Sequence, residues 1–390
     1  MIQAMNDGRF RTPSPEIRRA STVFFDDIAH LRTTLAATKA GDRAFSTYGT
    51  HGTPTTAELE GLLLAGEGGA GVELSSSGLA AIVTAMLAVV RAGDHILITD
   101  AAYGPARDFA TGMLSGLGVE VEFYEPLIGG GITSLIRPNT KLIWMESPGT
   151  HTFEVQDVPA IVAAARGADH RVVTAIDNTW GSPGLLRPFD LGADISVVAL
   201  TKYWGGHADL LMGAAFANAD LLPAVRESAR LTGTAVSGDD AFLVIRGART
   251  AGLRIREQGA TALELAERLA GHPRIARVLH PALPGDPGHT VFVRDFLGSS
   301  GLFSFELQRA DGSPTDQADA DAFADRLVAR GHFGLGYSWG GFETLIMPAR
   351  WSGMTRTVRP WTGGPLLRVS IGLEPFDELW ADLEAALAEG

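Results

Sequence analysis

The residues best equipped for chemistry lie between Val172 and Gly213, in VVTAIDNTWGSPGLLRPFDLGADISVVALTKYWGGHADLLMG. Two apolar strand patterns in this stretch end in polar residues, the first at Asp177 and the second at Thr201-Lys202. That places a carboxylate and an amine at the carboxyl edge of neighbouring parallel strands, where open α/β sheets bind ligands. A lysine behind Ile195, Val197, Val198, Ala199 and Leu200 is costly as an unpartnered buried cation. With a lowered pKa it becomes an amine suited to imine formation with an aldehyde, and a nearby carboxylate can keep a pyridine nitrogen protonated. Upstream, Ser75-Ser76-Ser77-Gly78-Leu79 joins a strand to a helix opening at Gly78, so free backbone N–H groups and the helix dipole form an anion cradle. Tyr103, in the turn after the strand at 95–100, is placed to lie flat on a ring at the same edge, a contact of order 1 kcal/mol. An aldehyde, a pyridine nitrogen and a phosphate together describe pyridoxal phosphate. Each residue alone has a plainer reading: Asp177 and Ser75–Ser77 as helix caps, Tyr103 as a turn residue, Lys202 as a solvated strand end. It is their joint occurrence at one sheet edge that makes a site.

The elements that must position these groups are legible as hydrophobic periodicity. Leu79, Ile82, Val83, Met86, Leu87 and Val90 share one face of a helix over 78–91, which Gly93 stops. Strand patterns follow at 95–100, 119–125, 141–146, 171–177, 195–200 and 213–218, mostly as continuous apolar runs of the kind buried on both faces. Strands alternating with helices predict an α/β fold with a large, mainly parallel sheet. After Arg246 the pattern changes to a helix near 261–269, strands at 274–279, 301–307 and 366–373, and a helix at 319–330, a smaller α+β domain. The expected division is an N-terminal arm over 1–52, with a short helical stretch at 28–35, a cofactor-binding domain over 53–247 and a C-terminal domain over 248–390.

Composition narrows the partners. The chain has 390 residues, 45% hydrophobic and 20% charged, enough for a sizeable core. A net charge of -13 argues against a surface that neutralises nucleic-acid phosphates or anionic lipid, and favours a small molecule. The absence of cysteine removes disulfides, thiolate nucleophiles and Cys-type zinc sites. No metal site is expected, since the ten histidines include no H-E-x-x-H. The start carries no apolar signal core, and the longest uncharged apolar stretch, Leu79 to Val90, spans 12 residues against the ~20 needed to cross a bilayer, so a cytoplasmic location is expected. Gly66, Gly68 and Gly71 spell G-x-G-x-x-G but precede a strand instead of following one, which reads as a turn. Gly336, Ser338 and Gly340 spell the hydrolase elbow G-x-S-x-G, yet no histidine follows His332 to complete a triad.

Over nearly its whole length, from about Ser21, the chain resembles the Cys/Met-metabolism family of fold-type I pyridoxal phosphate enzymes, and within it the bacterial β-lyases that cleave cystathionine. The motifs that carry the resemblance include YGTHGTPTTAELE (48–60), SSSGLAAI (75–82), AYGPARDF (102–109), PNTKLIWMESPG (138–149), DNTWGSP (177–183), ALTKYWGGHAD (199–209), RGARTAGLRIR (246–256), YSWGGFETL (337–345) and LLRVSIGLE (366–374). The resemblance implies that Lys202 holds the cofactor and moves the substrate α-proton, that Asp177 pairs with the pyridinium nitrogen and that Tyr103 stacks on the ring. It further implies that Ser77, Gly78, Leu79 and Thr201 hold the phosphate, and that Arg368 grips the substrate α-carboxylate. Ser338 would assist at the carboxylate and the lysine, and Tyr337 and Trp339 would wall the substrate. Tyr48 would reach the phosphate of a neighbouring subunit, implying a homo-oligomer, a dimer of dimers.

Two features of the resemblance point to elimination at the β carbon: Tyr337-Ser338-Trp339-Gly340-Gly341 where γ-acting members often carry Glu-Ser-Leu-Gly-Gly, and Trp180 after Asp177-Asn178-Thr179. Two positions depart from it. Thr50 and His51 follow Gly49 where an arginine usually binds cofactor phosphate across the subunit boundary, and Ala199 stands where serine is common three residues before the lysine. The expected activity is α,β-elimination of L-cystathionine to homocysteine, pyruvate and ammonia. The alternatives are a specialised lyase for other cysteine S-conjugates, and a regulatory protein that binds pyridoxal phosphate without turnover.

Overall fold

The computed structural model describes residues 12–44, 46–349 and 356–389. Seven strands build the first sheet: β1 Gly71–Ser75, β2 His95–Thr99, β3 Glu120–Tyr124, β4 Thr140–Glu146, β5 Val173–Asp177, β6 Ile195–Ala199 and β7 Gly213–Ala217. Their order across the sheet is β1-β7-β6-β5-β4-β2-β3. The apolar runs make these strands because both faces are covered: every residue of β2, β5 and β7 is buried. Neighbours pair in parallel from β6 to β3, whereas β7 runs antiparallel to both β6 and β1. The parallel expectation therefore holds for all but β7; the connection from β6, residues 200–212, is spent on the turns that carry Lys202 and forms no crossover helix.

The second sheet has five strands, β8 Ile275–Leu279, β9 Leu302–Leu307, β10 Gly334–Leu335, β11 Leu345–Ala349 and β12 Leu366–Ser370, in the order β10-β11-β12-β9-β8. Helices Gln317–Val328 and Phe376–Ala388 cover it, with Phe303, Phe305, Phe323, Leu327, Leu379 and Leu383 in one apolar cluster. Helix Gly238–Ala270, 33 residues long, packs on helix Pro54–Glu67 and on β8 and β9. The expected boundary at 247/248 falls inside that helix, whose first half carries no local signal separating it from the second. Among the described residues no helix is long and apolar enough to cross a membrane.

The edge that holds the candidate residues is fixed from behind by Glu67. This carboxylate, 1% exposed at the end of helix Pro54–Glu67, accepts from Asn178 Nδ2 at 2.6 Å, Ser196 Oγ at 2.6 Å and Ser182 Oγ at 2.7 Å. Ser182 Oγ in turn accepts from Trp204 Nε1 at 2.8 Å. One buried group thus ties together the segments after β5 and β6 that bear Asp177 and Lys202. Burial raises its pKa, against those three donors. Glu67→Ala would strand three donors in the interior, each worth ~1–3 kcal/mol, and is expected to lower unfolding free energy by at least ~3 kcal/mol in urea melts. Glu67→Gln, which keeps an acceptor, should lose clearly less; equal losses would show that shape alone matters there.

Candidate active site

Helix Gly78–Val89 forms because Ala81, Ile82, Ala85 and Met86 bury one face against β6 and β7, and because Ser77 Oγ caps it by accepting from Ala80 N at 3.1 Å. Its first turn reaches the sheet edge at close quarters. A Cβ on Gly78 would lie 2.7 Å from Ala199 Cβ, and one on Gly213 would lie 2.3 Å from Ser77 O, so both positions require glycine. Ser77, Gly78 and Leu79 line a cavity of about 250 Å³ that also takes in Ala199, Thr201 and Lys202. The cavity is thus lined by the first turn of a helix, whose backbone N–H groups lack intrahelical acceptors and suit an anion. The Thr201 hydroxyl is engaged by Met212, donating to its O at 3.2 Å and accepting from its N at 3.1 Å.

Lys202 lies in the turn after β6, which closes at Ala199, and so stands beyond the strand instead of ending it. Its Nζ donates to Ser338 Oγ at 3.0 Å and sits 5.3 Å from the centre of the Trp339 ring. Burial, then the positive Arg368, push the ammonium down to about 8, against the pull of Asp177. Asp177 ends β5 and accepts on Oδ1 from Thr179 N at 2.9 Å and Thr179 Oγ1 at 2.6 Å. Burial raises its pKa, opposed by the Thr179 bonds and by Lys202.

Arg368, on β12, brings the second sheet into the site. Its Nη2 donates to Tyr337 O at 2.7 Å and Ser338 O at 3.1 Å, while its buried Nε has no hydrogen-bond partner among the described residues. Burial lowers its pKa to about 10, leaving it a cation at neutral pH. Gly340, at φ 75°, lets this loop press against Lys202: a Cβ there would lie 3.2 Å from Lys202 C. Trp339 lies edge-on to Tyr203, ring centres 5.5 Å apart, and Tyr337 stands 80% exposed at the rim. Trp180 closes the floor, its Nε1 donating to Leu302 O at 3.0 Å.

Tyr103 is half-exposed over the cavity, and its backbone N donates to Glu146 Oε2 at 2.6 Å. Glu146 was within a quoted motif but was not singled out from sequence; it ends β4 directly beside Asp177 in the strand register. Burial and the neighbouring Asp177 hold its carboxyl well above the usual carboxylate range. His151, also unflagged by sequence, lines the same cavity. Tyr48 is 49% exposed and does not line the Lys202 cavity. Thr50 and His51 line a separate cleft with Arg43, Glu60 and Glu73, where Thr47 Oγ1 and His51 Nδ1 lie 2.8 Å apart.

The donor set around the one cavity suits pyridoxal phosphate: a helix N-terminus for an anion, a strand-end carboxylate, an amine of depressed pKa and an aromatic ring. The chain carries only three lysines, Lys39, Lys141 and Lys202. The family model for Cys/Met metabolism PLP-dependent enzymes matches residues 1–388. The chain belongs to that family. A putative cystathionine beta-lyase of Rhizobium johnstonii is 46% identical over 96% of this chain and 91% of its own length. The cystathionine beta-lyase of Escherichia coli K12 is 42% identical over 95% and 92%. Cystathionine gamma synthase from Xanthomonas oryzae pv. oryzae, solved with aminoacrylate and cysteine, superposes with a TM-score of 0.85 at 31% identity, covering 96% of this chain and 92% of that one. As in the family at large, the cofactor is pyridoxal phosphate and the fold is the α/β fold-type I.

The electrostatics give a prediction with a definite sign. The neutral, reactive form of Lys202 gains population as pH rises through about 8, so trinitrobenzenesulfonate labelling of Lys202 in cofactor-free protein should rise about tenfold per pH unit below that point and level above it. Arg368→Leu removes a repelling cation and should move the midpoint up; Asp177→Asn removes an attracting anion and should move it down. Peptide mapping with only two other lysines resolves the site, and a midpoint near 10.5 would refute the buried-amine description.

Proposed function

We propose that the protein is a pyridoxal-phosphate-dependent carbon–sulfur lyase that performs α,β-elimination on L-cystathionine, giving homocysteine, pyruvate and ammonia with uptake of one water. The observation that carries this reading is the convergence of Lys202, Asp177 and Arg368, from two sheets, on one cavity capped by the first turn of helix Gly78–Val89. When bound, the cofactor supplies an electron sink for the bond electrons released at the substrate α carbon.

The chain's residues do the rest. Ser77, Gly78 and Leu79 would hold the phosphate on backbone N–H groups, with Thr201 beside them. Asp177, pinned by Thr179 on one oxygen, would keep a pyridine nitrogen protonated. Tyr103, positioned by the Glu146 bond to its backbone, would supply an aromatic face for the ring. Lys202 would hold the cofactor and, as a free amine, would take the proton from the substrate α carbon. Loss of the β carbon–sulfur bond then releases a thiolate, which would take that proton back from the Lys202 ammonium to depart as homocysteine, while the three-carbon remainder takes up water and gives pyruvate and ammonia. Ser338 receives the Lys202 Nζ hydrogen bond and so aims the amine. Arg368 orients the substrate by its α-carboxylate, leaving the sulfur-bearing arm toward Tyr337 and Trp339.

Trp180 and Trp339 give this site an apolar wall, which favours the β-lyase reading over γ-carbon chemistry. Tyr48, half-exposed and not among the residues lining its own chain's cavity, suits a contact to the phosphate of a second subunit, so we assign at least a dimer, with a dimer of dimers as the full assembly. Composition supports the cytoplasm as its place.

The deciding measurement is pyruvate release from cystathionine, cystine and simple S-alkyl cysteines. Cystathionine is expected to be turned over most efficiently; preference for another conjugate would indicate a specialised lyase, and no pyruvate from cofactor-loaded protein would leave a binding protein. Lys202→Ala should lose at least ~100-fold in kcat while still binding cofactor noncovalently, the low end for removing a general acid/base. Retained turnover would place the proton transfer elsewhere.

A further inference from the structure

His151 stands in the wall of the Lys202 cavity on a loop that follows β4, in a left-handed backbone conformation of φ 62°. Phe153, two residues on, repeats that conformation at φ 57°. Non-glycine residues hold such angles at a cost, and strain of this kind is retained where the surroundings fix it, most often at functional sites. Here Arg356 fixes the loop, donating to Glu154 at 3.2 Å and to Thr152. The result is a ring whose Nδ1 is shielded from solvent and has no hydrogen-bond partner among the described residues.

Arg368 Nε is in the same condition in the same cavity. Most other polar groups nearby are partnered: Asp177 with Thr179, Glu146 with Tyr103, Lys202 with Ser338. Buried polar atoms left unpaired are costly, so two in one pocket mark the seat of a ligand group that satisfies both. Arg368 requires that group to be an anion. His151 is neutral, since burial, then Arg368 and Arg356, lower its pKa to about 4, so it offers a single N–H without adding a second desolvated cation. A carboxylate accepts from both, and the phosphate end of the cavity lies at the helix cradle.

We propose that His151 is a second contact for the substrate α-carboxylate, donating from its imidazole to the carboxylate that Arg368 grips. This rests on the reading of the protein as an amino-acid lyase. Sequence alone did not reveal the residue, because a lone histidine among small polar residues carries no spacing signal.

Two variants test it. His151→Gly removes the ring and accepts the positive φ without strain, and His151→Asn tolerates that φ and restores a short N–H donor. His151→Gly is expected to raise KM about tenfold or more, by the same factor for cystathionine and for S-ethyl-L-cysteine, with kcat within about threefold and the cofactor absorbance unchanged. His151→Asn should recover part of the loss. An unchanged KM, a rise confined to cystathionine, or a joint loss of kcat and cofactor that asparagine does not relieve would each overturn the proposal. Glycine, which has no β leaving group, gives an independent reading from the absorbance change on binding. A dissociation constant raised about tenfold in His151→Gly supports the contact even if wild type releases no pyruvate, and an unchanged one refutes it.

Discussion

The structure turns on the desolvation of one amine. Lys202 is held out of water between an attracting carboxylate, Asp177, and a repelling guanidinium, Arg368, and its pKa near 8 is the resultant. In water the two neighbours would be screened and the lysine would be an ordinary cation. Keeping all three dry requires a closed sheet edge, hence the tight packing of Gly78 on Ala199 and of Gly340 on the Lys202 backbone. It also requires that Asp177 not drift, and the Thr179 bonds and the Glu67 network behind it serve that end.

The second requirement is that Arg368 arrive from another sheet with accuracy. Asp100, buried just beyond β2, is the joint that secures this. It accepts from Thr357 N at 3.0 Å, Thr357 Oγ1 at 2.8 Å, Val358 N at 2.9 Å and Arg107 Nη1 at 2.9 Å. Burial alone would raise its pKa, yet these donors hold it below the usual value. The segment leading into β12 is therefore anchored three residues from Tyr103, so Tyr103 and Arg368, which line the cavity from different sheets, share one mechanical reference.

Much of this was legible beforehand because strands buried on both faces read as apolar runs whatever their neighbours do. The six strand patterns of the first sheet match β2 to β7 within two residues at either end. What sequence hid was relational. The reversed direction of β7 depends on how the 200–212 segment folds back, which an apolar run does not encode. The helix Gly238–Ala270 was visible only near 261–269, because several buried positions before that, Gly247, Arg254, Gln258 and Gly259, are not apolar while Leu253 is exposed, so burial keeps a helical period that the hydrophobic pattern does not. Lys202, Asp177, Tyr103 and Ser77–Leu79 announced themselves through chemistry at strand ends and a helix start, and the structure brings them to one cavity. Glu146 and Glu67 did not, since a carboxylate at the end of a strand or helix is usually solvated and only its neighbours make it otherwise. Tyr48 stands apart, half-exposed on the N-terminal arm and not among the residues lining the Lys202 cavity.

The division of labour between the two sheets has a consequence for how such a site diversifies. Ser77, Gly78, Leu79, Tyr103, Asp177 and Lys202 reach the cavity from the ends of the first sheet and its helix, while Tyr337 and Trp339 line it from the loop between β10 and β11 of the second sheet. That loop also carries Ser338, bonded to Lys202, and Gly340, packed on the Lys202 backbone, so only its outward positions, such as the exposed Tyr337, can change without touching the desolvated amine. Variation of the cavity wall is thus tied to the lysine through immediate chain neighbours, and Tyr337 is the position where the two are most separable.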